Sequence, residues 1–321
     1  MKNSPLVSIC VLTYNHEEFI QETLLGLINQ EYENLEIIIS DDNSTDSTFH
    51  IIQKFASEYA GVHKLIINKN EQNMGLVPHI NMCLFELAHG DYIMLHGGDD
   101  ISLSNRVIDS LKLMNLLSVD SISLNMQFIN EKSVVTGKKF YINEDNDGKY
   151  DISDYITGRY KQVPGASRMI SRRLLDTFGP LNNDAQSEDT PLNFRALLLS
   201  GVGFSAKNGL LYRIHSNNAS SFLNLHTRFD IRKIFNQYYT DLERALSLNL
   251  ISEKQYLQVK DILNHKLTIE IACKDIFVAD GILGKIGYLK KYLRQNIFSI
   301  NEKKMLFRFF LSCVKRQLLK Y

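Results

Sequence analysis

Long apolar runs are missing from this 321-residue chain. No window of about 18 residues is both apolar and free of charge, so no bilayer-spanning helix is expected. Cysteine is scarce: Cys10, Cys83, Cys273 and Cys313 lie far apart and form no CxxC pair. That spacing argues against a disulfide framework or a structural zinc cage and for buried, reduced thiols. Proline is rare and absent after Pro191, which suits long helices in the last third. A secretory leader is not expected either, because the run Leu6–Leu12 is short and stops at Thr13-Tyr14-Asn15. These absences together predict a cytoplasmic protein.

Net charge is lacking too, with 36 Lys plus Arg against 36 Asp plus Glu. The balance hides an asymmetry. Residues 281–321 carry ten Lys or Arg and one acid, Glu302, a net +9 that leaves −9 for the rest. With 44% hydrophobic residues the chain has enough apolar mass to bury a core, which excludes a disordered polyampholyte.

What is present is an alternation. Leu6–Thr13, Leu35–Ile39, Lys64–Ile67 and Tyr92–Leu95 read as short buried strands. Between them, helical spacing runs over His16–Asn29, then from a cap at Ser44 or Thr45 through Ala60, then near Pro78–Ala88. Such βαβ units predict an α/β fold with a Rossmann-like, mostly parallel sheet and right-handed crossovers. After Val119 the pattern loosens. Ser121–Asn130, Ser133–Tyr141, Gly165–Ser171 and Gly209–Ile214 read as strands, with a turn at Asn143–Gly148 and helices at Arg172–Phe178 and Glu188–Leu199. From about Arg228 the pattern is helical throughout. The composition shift places a boundary near residue 222, giving an α/β unit over 1–222 and a helical C-terminal region over 223–321.

In parallel sheets, ligands sit at the carboxyl ends of strands, and here those ends hold the polar clusters. Thr13-Tyr14-Asn15 offers an aromatic ring for stacking, and Asp41-Asp42-Asn43-Ser44 offers acceptors for a base or ribose or, equally, a helix cap. His96-Gly97-Gly98-Asp99-Asp100 joins glycines that let a ligand approach the backbone to carboxylates suited to Mg²⁺ or Mn²⁺. Asp100 also reads as a cap for a helix near Ser104. Ser187-Glu188-Asp189 opens a helix, where acids complement the dipole or serve as a general base. Arg213 and His215 end a strand with a cation and an imidazole two residues apart, on one side. His63, His89, His226 and His265 read as structural or solvated.

Taken in order, these segments resemble the inverting glycosyltransferases of family 2. The resemblance rests on Val7–Asn15, Asp41–Asp46, Asn73-Met74-Gly75, Gly90-Asp91-Tyr92 with Gly98-Asp99-Asp100, Glu188-Asp189 with Leu192 and Arg195, and Arg213 with His215 and Asn218. It covers about residues 5–222 and implies the A-type glycosyltransferase fold. By that resemblance, Thr13, Tyr14, Asn15 and Asp42 would hold the base, commonly uracil or thymine, with Asn73 and Gly98 lining the nucleotide-sugar site. Asp99 would bind Mn²⁺ or Mg²⁺, His215 would complete the metal shell and Arg213 would face the phosphates. Asp189 would be the general base and Glu188 would position the acceptor, with Pro164-Gly165-Ala166 lining the cleft. One position departs: Gly97 stands where the family's Asp-X-Asp motif has its first Asp.

The implied reaction is an in-line displacement from a UDP-sugar to a glycan or polyprenyl-linked hydroxyl in surface polysaccharide synthesis. Two alternatives stay open, a non-catalytic nucleotide-sugar-binding module and a nucleotidyltransferase. The basic stretch 281–321 combines its charge with Ile286, Leu289, Leu293, Leu306, Phe309, Phe310 and Val314 at helical spacing. That pattern predicts either a packed face or peripheral contact with an anionic leaflet. No nucleic-acid recognition pattern accompanies it, so nucleic acid is not an expected partner.

Overall fold

The computed structural model of the protein describes residues 4–139, 146–216 and 230–318. Asn218, His226, the boundary near residue 222, the first half of the Asn143–Gly148 turn and Lys320 lie outside the described residues. In chain order the elements are β1 (Val7–Thr13), α1 (Ile20–Ile28), β2 (Leu35–Asp41), α2 (Thr48–Glu58) and β3 (Lys64–Lys69). Next come α3 (Leu76–Met82, running into a π-helical turn at Cys83–Leu87), β4 (Tyr92–Gly97), β5 (Ile101–Ser102) and α4 (Arg106–Leu117). The second half of the sheet adds β6 (Ser121–Ile129), β7 (Val135–Lys139), β8 (Gly148–Tyr150), α5 (Ile152–Ile156) and β9 (Arg168–Ser171). After α6 (Arg172–Phe178), α7 (Asp189–Leu199) and β10 (Val202–Arg213) come the helices α8 (Ile231–Ser247), α9 (Glu253–Val278), α10 (Gly281–Leu293) and α11 (Ile300–Leu318).

The sheet order is β3-β2-β1-β4-β9-β6-β10-β5, with β7 beside β6 and β8 beside β10. Strands β3, β2, β1 and β4 are mutually parallel, and β6 and β10 run parallel to each other. Because β9 lies antiparallel between β4 and β6, all six of those strands point the same way. The mostly parallel α/β sheet read from the sequence is therefore present, with β9 as its inserted reversal. β1 and β2 are apolar on both faces because helices cover both. Val7, Ile9 and Val11 face the cluster with α1 and α4, whereas Cys10 faces the one with α6 and α7.

Two local readings are corrected. Ser44 and Thr45 do not cap α2, which begins at Thr48 after Ser47; Ser44 instead bonds Asp41, and Thr45 bonds Asn15. Asp100 does not cap α4, which follows Asn105; its carboxylate accepts from the Arg213 backbone at 2.9 Å.

The largest core runs without a break from Leu192, Phe194 and Leu197 of α7 into Phe235 and Leu242 of α8 and Val259 and Leu263 of α9. Arg195 and Asp241, both about 1% exposed, add a 2.9 Å ion pair between α7 and α8. A separate cluster begins at Ala272 and joins the end of α9 to α10 and α11. Leu289, Leu306 and Phe310 are buried in it, and Ile286, Leu293, Phe309 and Val314 pack against it. The apolar face visible in the sequence of the tail thus holds the helices together. Among the described residues, no helix is long and apolar enough to cross a membrane.

Candidate active site

The chain leaves β1 toward β2 and β3 on one side and reaches β4 on the other, so β1 and β4 flank a topological switch point. A crevice forms at the carboxyl ends of such a pair. Thr13, buried there, donates to Asp41 at 3.0 Å, and Asp41 also accepts from the Ser44 amide at 2.8 Å. Asn15 takes a left-handed conformation, φ 56°, and its side chain accepts from the Thr45 amide at 2.8 Å. These bonds fasten the β1 end to the β2 end and leave the Tyr14 ring 44% exposed, open to stacking. Asp42 is 4% exposed and accepts from Asn70, the Met74 amide and the Gly75 amide at 2.7, 2.8 and 3.0 Å. Its carboxylate therefore organises the 70–75 loop, where Asn73 accepts from the Gly75 amide.

At the β4 end, a Cβ on Gly98 would stand 2.6 Å from His16 Nδ1 and 2.7 Å from Thr13 Cγ2, so only glycine lets the two strand ends close up. Asp99 follows, its Oδ2 2.9 Å from His215 Nε2. Burial would raise the Asp99 carboxyl, but the His215 bond and the nearby His16 hold it below the usual range. Its neighbour Asp100 is pushed well above that range by burial and by the Asp99 charge. The two adjacent carboxyls are thus pushed in opposite directions, Asp99 down and Asp100 up.

Arg213 is fully buried, and its guanidinium is engaged within the protein. It donates to the Asp99 carbonyl at 2.7 Å, Glu22 at 2.6 Å and Ser133 at 2.9 Å, and its cation lies over the Phe19 ring. Arg213 and His215 both reach Asp99, one through its backbone carbonyl and the other through its carboxylate. Arg213, however, holds the Asp99 backbone from behind rather than facing an open cleft. Glu22, which carries its countercharge, and His16, which packs beside Gly98, escape sequence reading; no local pattern links positions 191 residues apart.

Asp189 and Glu188 open α7 on the other side of the crevice. The strand β9 starts beside the end of β4, with Met169 opposite Met94, so the loop leading into it crosses the same sheet edge as Asp99. Arg106 ties that loop down, donating to Leu95 and Ala166 carbonyls at 3.2 and 2.9 Å. Asp189 lies against Gly165: an added Cβ would be 1.5 Å from its Oδ1. Arg168, 3% exposed in its side chain, donates to the Asp189 carbonyl at 2.7 Å and stands 3.7 Å from its carboxylate. Burial, with the Asp189 charge adding to it, pushes the Glu188 carboxyl up to about 8. Glu188 therefore keeps its proton through neutral pH. His63 is buried, His89 stands 3.7 Å from Glu36 and His265 bonds Glu302, all away from this edge.

Asp99 and His215 offer an oxygen and a nitrogen donor suited to Mn²⁺ or Mg²⁺. Among the described residues no group of three or more His, Cys, Asp or Glu side chains forms a full cage. The donor set therefore fits an ion that takes its remaining ligands from a bound molecule.

The sequence pattern described as glycosyl transferase family 2 matches residues 8–179, more than half of the chain. The chain belongs to glycosyl transferase family 2. Among curated family relatives, the Escherichia coli UDP-Glc:alpha-D-GlcNAc-diphosphoundecaprenol beta-1,3-glucosyltransferase WfaP is 33% identical over 41% of this chain and 50% of its own. The glycosyltransferase GlyG of Streptococcus pneumoniae is 25% identical over 85% of this chain and 94% of its own. The chain spans half or less of the length of the curated relatives it matches first. In fold it is similar to S. aureus TarS 1–349 in complex with UDP-GlcNAc, with TM-score 0.57 and 18% identity over 97% of this chain and 92% of that one. With the likeness to TarS, family 2 membership gives the chain the A-type glycosyltransferase fold, followed by a C-terminal helical region.

Proposed function

We propose that the protein is an inverting glycosyltransferase that moves a sugar from a UDP-sugar to a glycan or lipid-linked hydroxyl in surface polysaccharide synthesis. The observation that carries this reading is one shared sheet edge. It sets Asp99 and His215 at the end of β4 and, across the Pro164–Ser167 loop, the Glu188–Asp189 pair. A nucleotidyltransferase has no need of that second pair, and a binding module has no need of its raised carboxyl.

In this reading Tyr14 stacks on the base, and Thr13, Asn15, Asp42, Asn73 and Gly98 shape the nucleotide pocket through the bonds that lock its loops. Asp99 and His215 would hold the divalent ion, which, when bound, offsets charge on the leaving diphosphate. Arg213 keeps Asp99 in place. Asp189 takes the proton from the acceptor hydroxyl, and protonated Glu188 donates a hydrogen bond to the acceptor beside it. Proton transfer to a placed base contributes roughly 10²–10⁴-fold. Gly165, having no side chain, leaves the carboxylate room at the cleft.

Residues 1–222 form the catalytic unit and 223–321 the helical region, although α8 and the first half of α9 share the catalytic core. The protein acts at the inner face of the cytoplasmic membrane without spanning it. Support comes from the tail, where Leu283, Ile300, Phe307 and Leu311 are exposed among Lys290, Lys303, Lys304 and Arg308. The test of the catalytic assignment is Asp189→Asn: turnover should be lost while UDP binding persists. Turnover that survives this change overturns the base assignment.

A further inference from the structure

Two buried arginines lie between the Asp99 half of the site and the Asp189 half. Arg106 opens α4 and Arg168 opens β9. Arg106 spends Nη2 on two backbone carbonyls, Leu95 at 3.2 Å and Ala166 at 2.9 Å. Leu95 belongs to β4, the strand that ends just before Asp99, and Ala166 belongs to the loop that leads into β9.

That loop is pinned at each step. The Arg168 amide donates to the Gly165 carbonyl at 3.0 Å and closes a turn, while the Ser167 hydroxyl donates to the Leu124 carbonyl of β6. From this turn Arg168 reaches the base. Its Nη2 donates to the Asp189 carbonyl at 2.7 Å, and its Nη1 stands 3.7 Å from the carboxylate that Gly165 lies against. A continuous path thus runs from β4 through Arg106, the turn and Arg168 to Asp189.

Stability alone does not account for Arg168. In the first turn of a helix the orphan groups are amides, so a donor on the Asp189 carbonyl caps nothing. A cation beside the first residue of α7 also opposes the helix dipole. Nε of Arg168, with Nε and Nη1 of Arg106, is buried without a protein hydrogen-bond partner among the described residues.

We propose that Arg168, held through Ala166 and Arg106 to the end of β4, is the positioning residue that fixes the Asp189 carboxylate relative to Asp99. It acts through Asp189 and touches neither donor nor acceptor. The proposal rests on Asp189 being the base, and it adds a side-chain strut between the donor and acceptor halves. Asn193 is a second tether, its side-chain amide donating to the Val163 carbonyl at 3.3 Å. Loss of Arg168 should therefore loosen the base without freeing α7.

The test compares Arg168→Gln and Arg168→Lys with wild type by kcat, UDP titration and thermal melt. Arg168→Gln should lower kcat by about tenfold or more and leave UDP affinity unchanged, since a misplacement of about 1 Å costs on the order of 10²-fold. Arg168→Lys keeps the cation and a donor for the carbonyl, and should recover kcat to within about threefold of wild type. Gly165→Ala displaces the same carboxylate, so adding Arg168→Gln to it should cost less than about threefold more. If Gln does not fold, Arg168→Met, which fills the buried space without charge, replaces it in each comparison. A folded Arg168→Gln with kcat within about threefold of wild type would overturn the proposal. So would a parallel loss of UDP affinity, a Lys variant no better than Gln, or full multiplication of the two losses in the double variant. Asp189→Asn keeps the two readings apart. If it removes turnover while Arg168→Gln does not, the positioning role fails and the base assignment stands. If it leaves turnover intact, there is no base to position and both fail.

Discussion

Gly165→Ala tests the placement of the base without touching it. The new Cβ would stand 1.5 Å from Asp189 Oδ1, 2.1 Å from Cγ and 2.7 Å from Oδ2, where real Cβ contacts begin near 3.0 Å. The carboxylate must therefore retreat by more than an ångström. It can do so easily, because the Asp189 side chain is 46% exposed and free to swing into solvent. Gly165 is not among the glycines with positive φ, so alanine brings no backbone strain and trims the entropy of the unfolded chain. Stability should then stay level or rise by about 0.4–1 kcal/mol. Catalysis should not. A misplacement of about 1 Å costs on the order of 10²-fold, and complete loss of a general base about 10²–10⁴-fold. The assay is UDP release at saturating donor and acceptor, beside UDP titration and a thermal melt. The expected result is kcat down by about 10²-fold or more, with UDP affinity unchanged and a melting temperature unchanged or slightly raised. A kcat within about threefold of wild type, in a folded sample, refutes the reasoning that Asp189 acts from this position.

Glu188→Gln should remove a pH-dependent destabilisation. Below its ordinary value of 4.5 both folded and unfolded states hold the proton, and between there and about 8 only the folded state does. Wild-type stability should fall relative to the variant across that window, by on the order of a few kcal/mol in total. Melting curves from pH 5 to 8 check this, and a constant difference would refute it. Arg195→Ala leaves buried Asp241 unpaired, with its carboxyl already raised by burial. Urea unfolding should register a loss of about 3–5 kcal/mol, and a loss under about 1 would mean the α7–α8 bridge is dispensable. The full chain should sediment with anionic liposomes at low salt and release as salt rises, since each surface Lys or Arg contributes about 1 kcal/mol. Absence of binding at low salt would remove the membrane contact.

Much of the site was legible because parallel strands write their ends plainly. β1, β2 and β4 are apolar runs cut off by polar residues, so Thr13, Asp42 and Asp99 could be placed at a carboxyl edge before any coordinates. The Arg213–His215 spacing also survives, since both side chains reach Asp99. Long-range closure was not legible. Nothing local says that Gly165 will meet Asp189, or that Glu22 will carry the countercharge of Arg213. That salt link also holds Arg213 inward, where the family resemblance implied a phosphate contact. Ser44 and Thr45 looked like caps because capping and loop-tying use the same side chains; tertiary partners, Asp41 and Asn15, decided between them. In the tail, apolar periodicity located a buried stripe correctly as a stripe but could not say whether protein or lipid would cover it. Leu289, Leu306 and Phe310 went to protein.

The measurement that bears most directly on the account is calorimetric titration with UDP, GDP and dTDP, each with and without Mn²⁺, for wild type and Asp99→Ala. UDP should bind wild type, Mn²⁺ should tighten it, and Asp99→Ala should abolish the metal effect while leaving the fold intact. Folded wild-type protein that binds none of the three nucleotides, with or without the ion, would contradict these expectations.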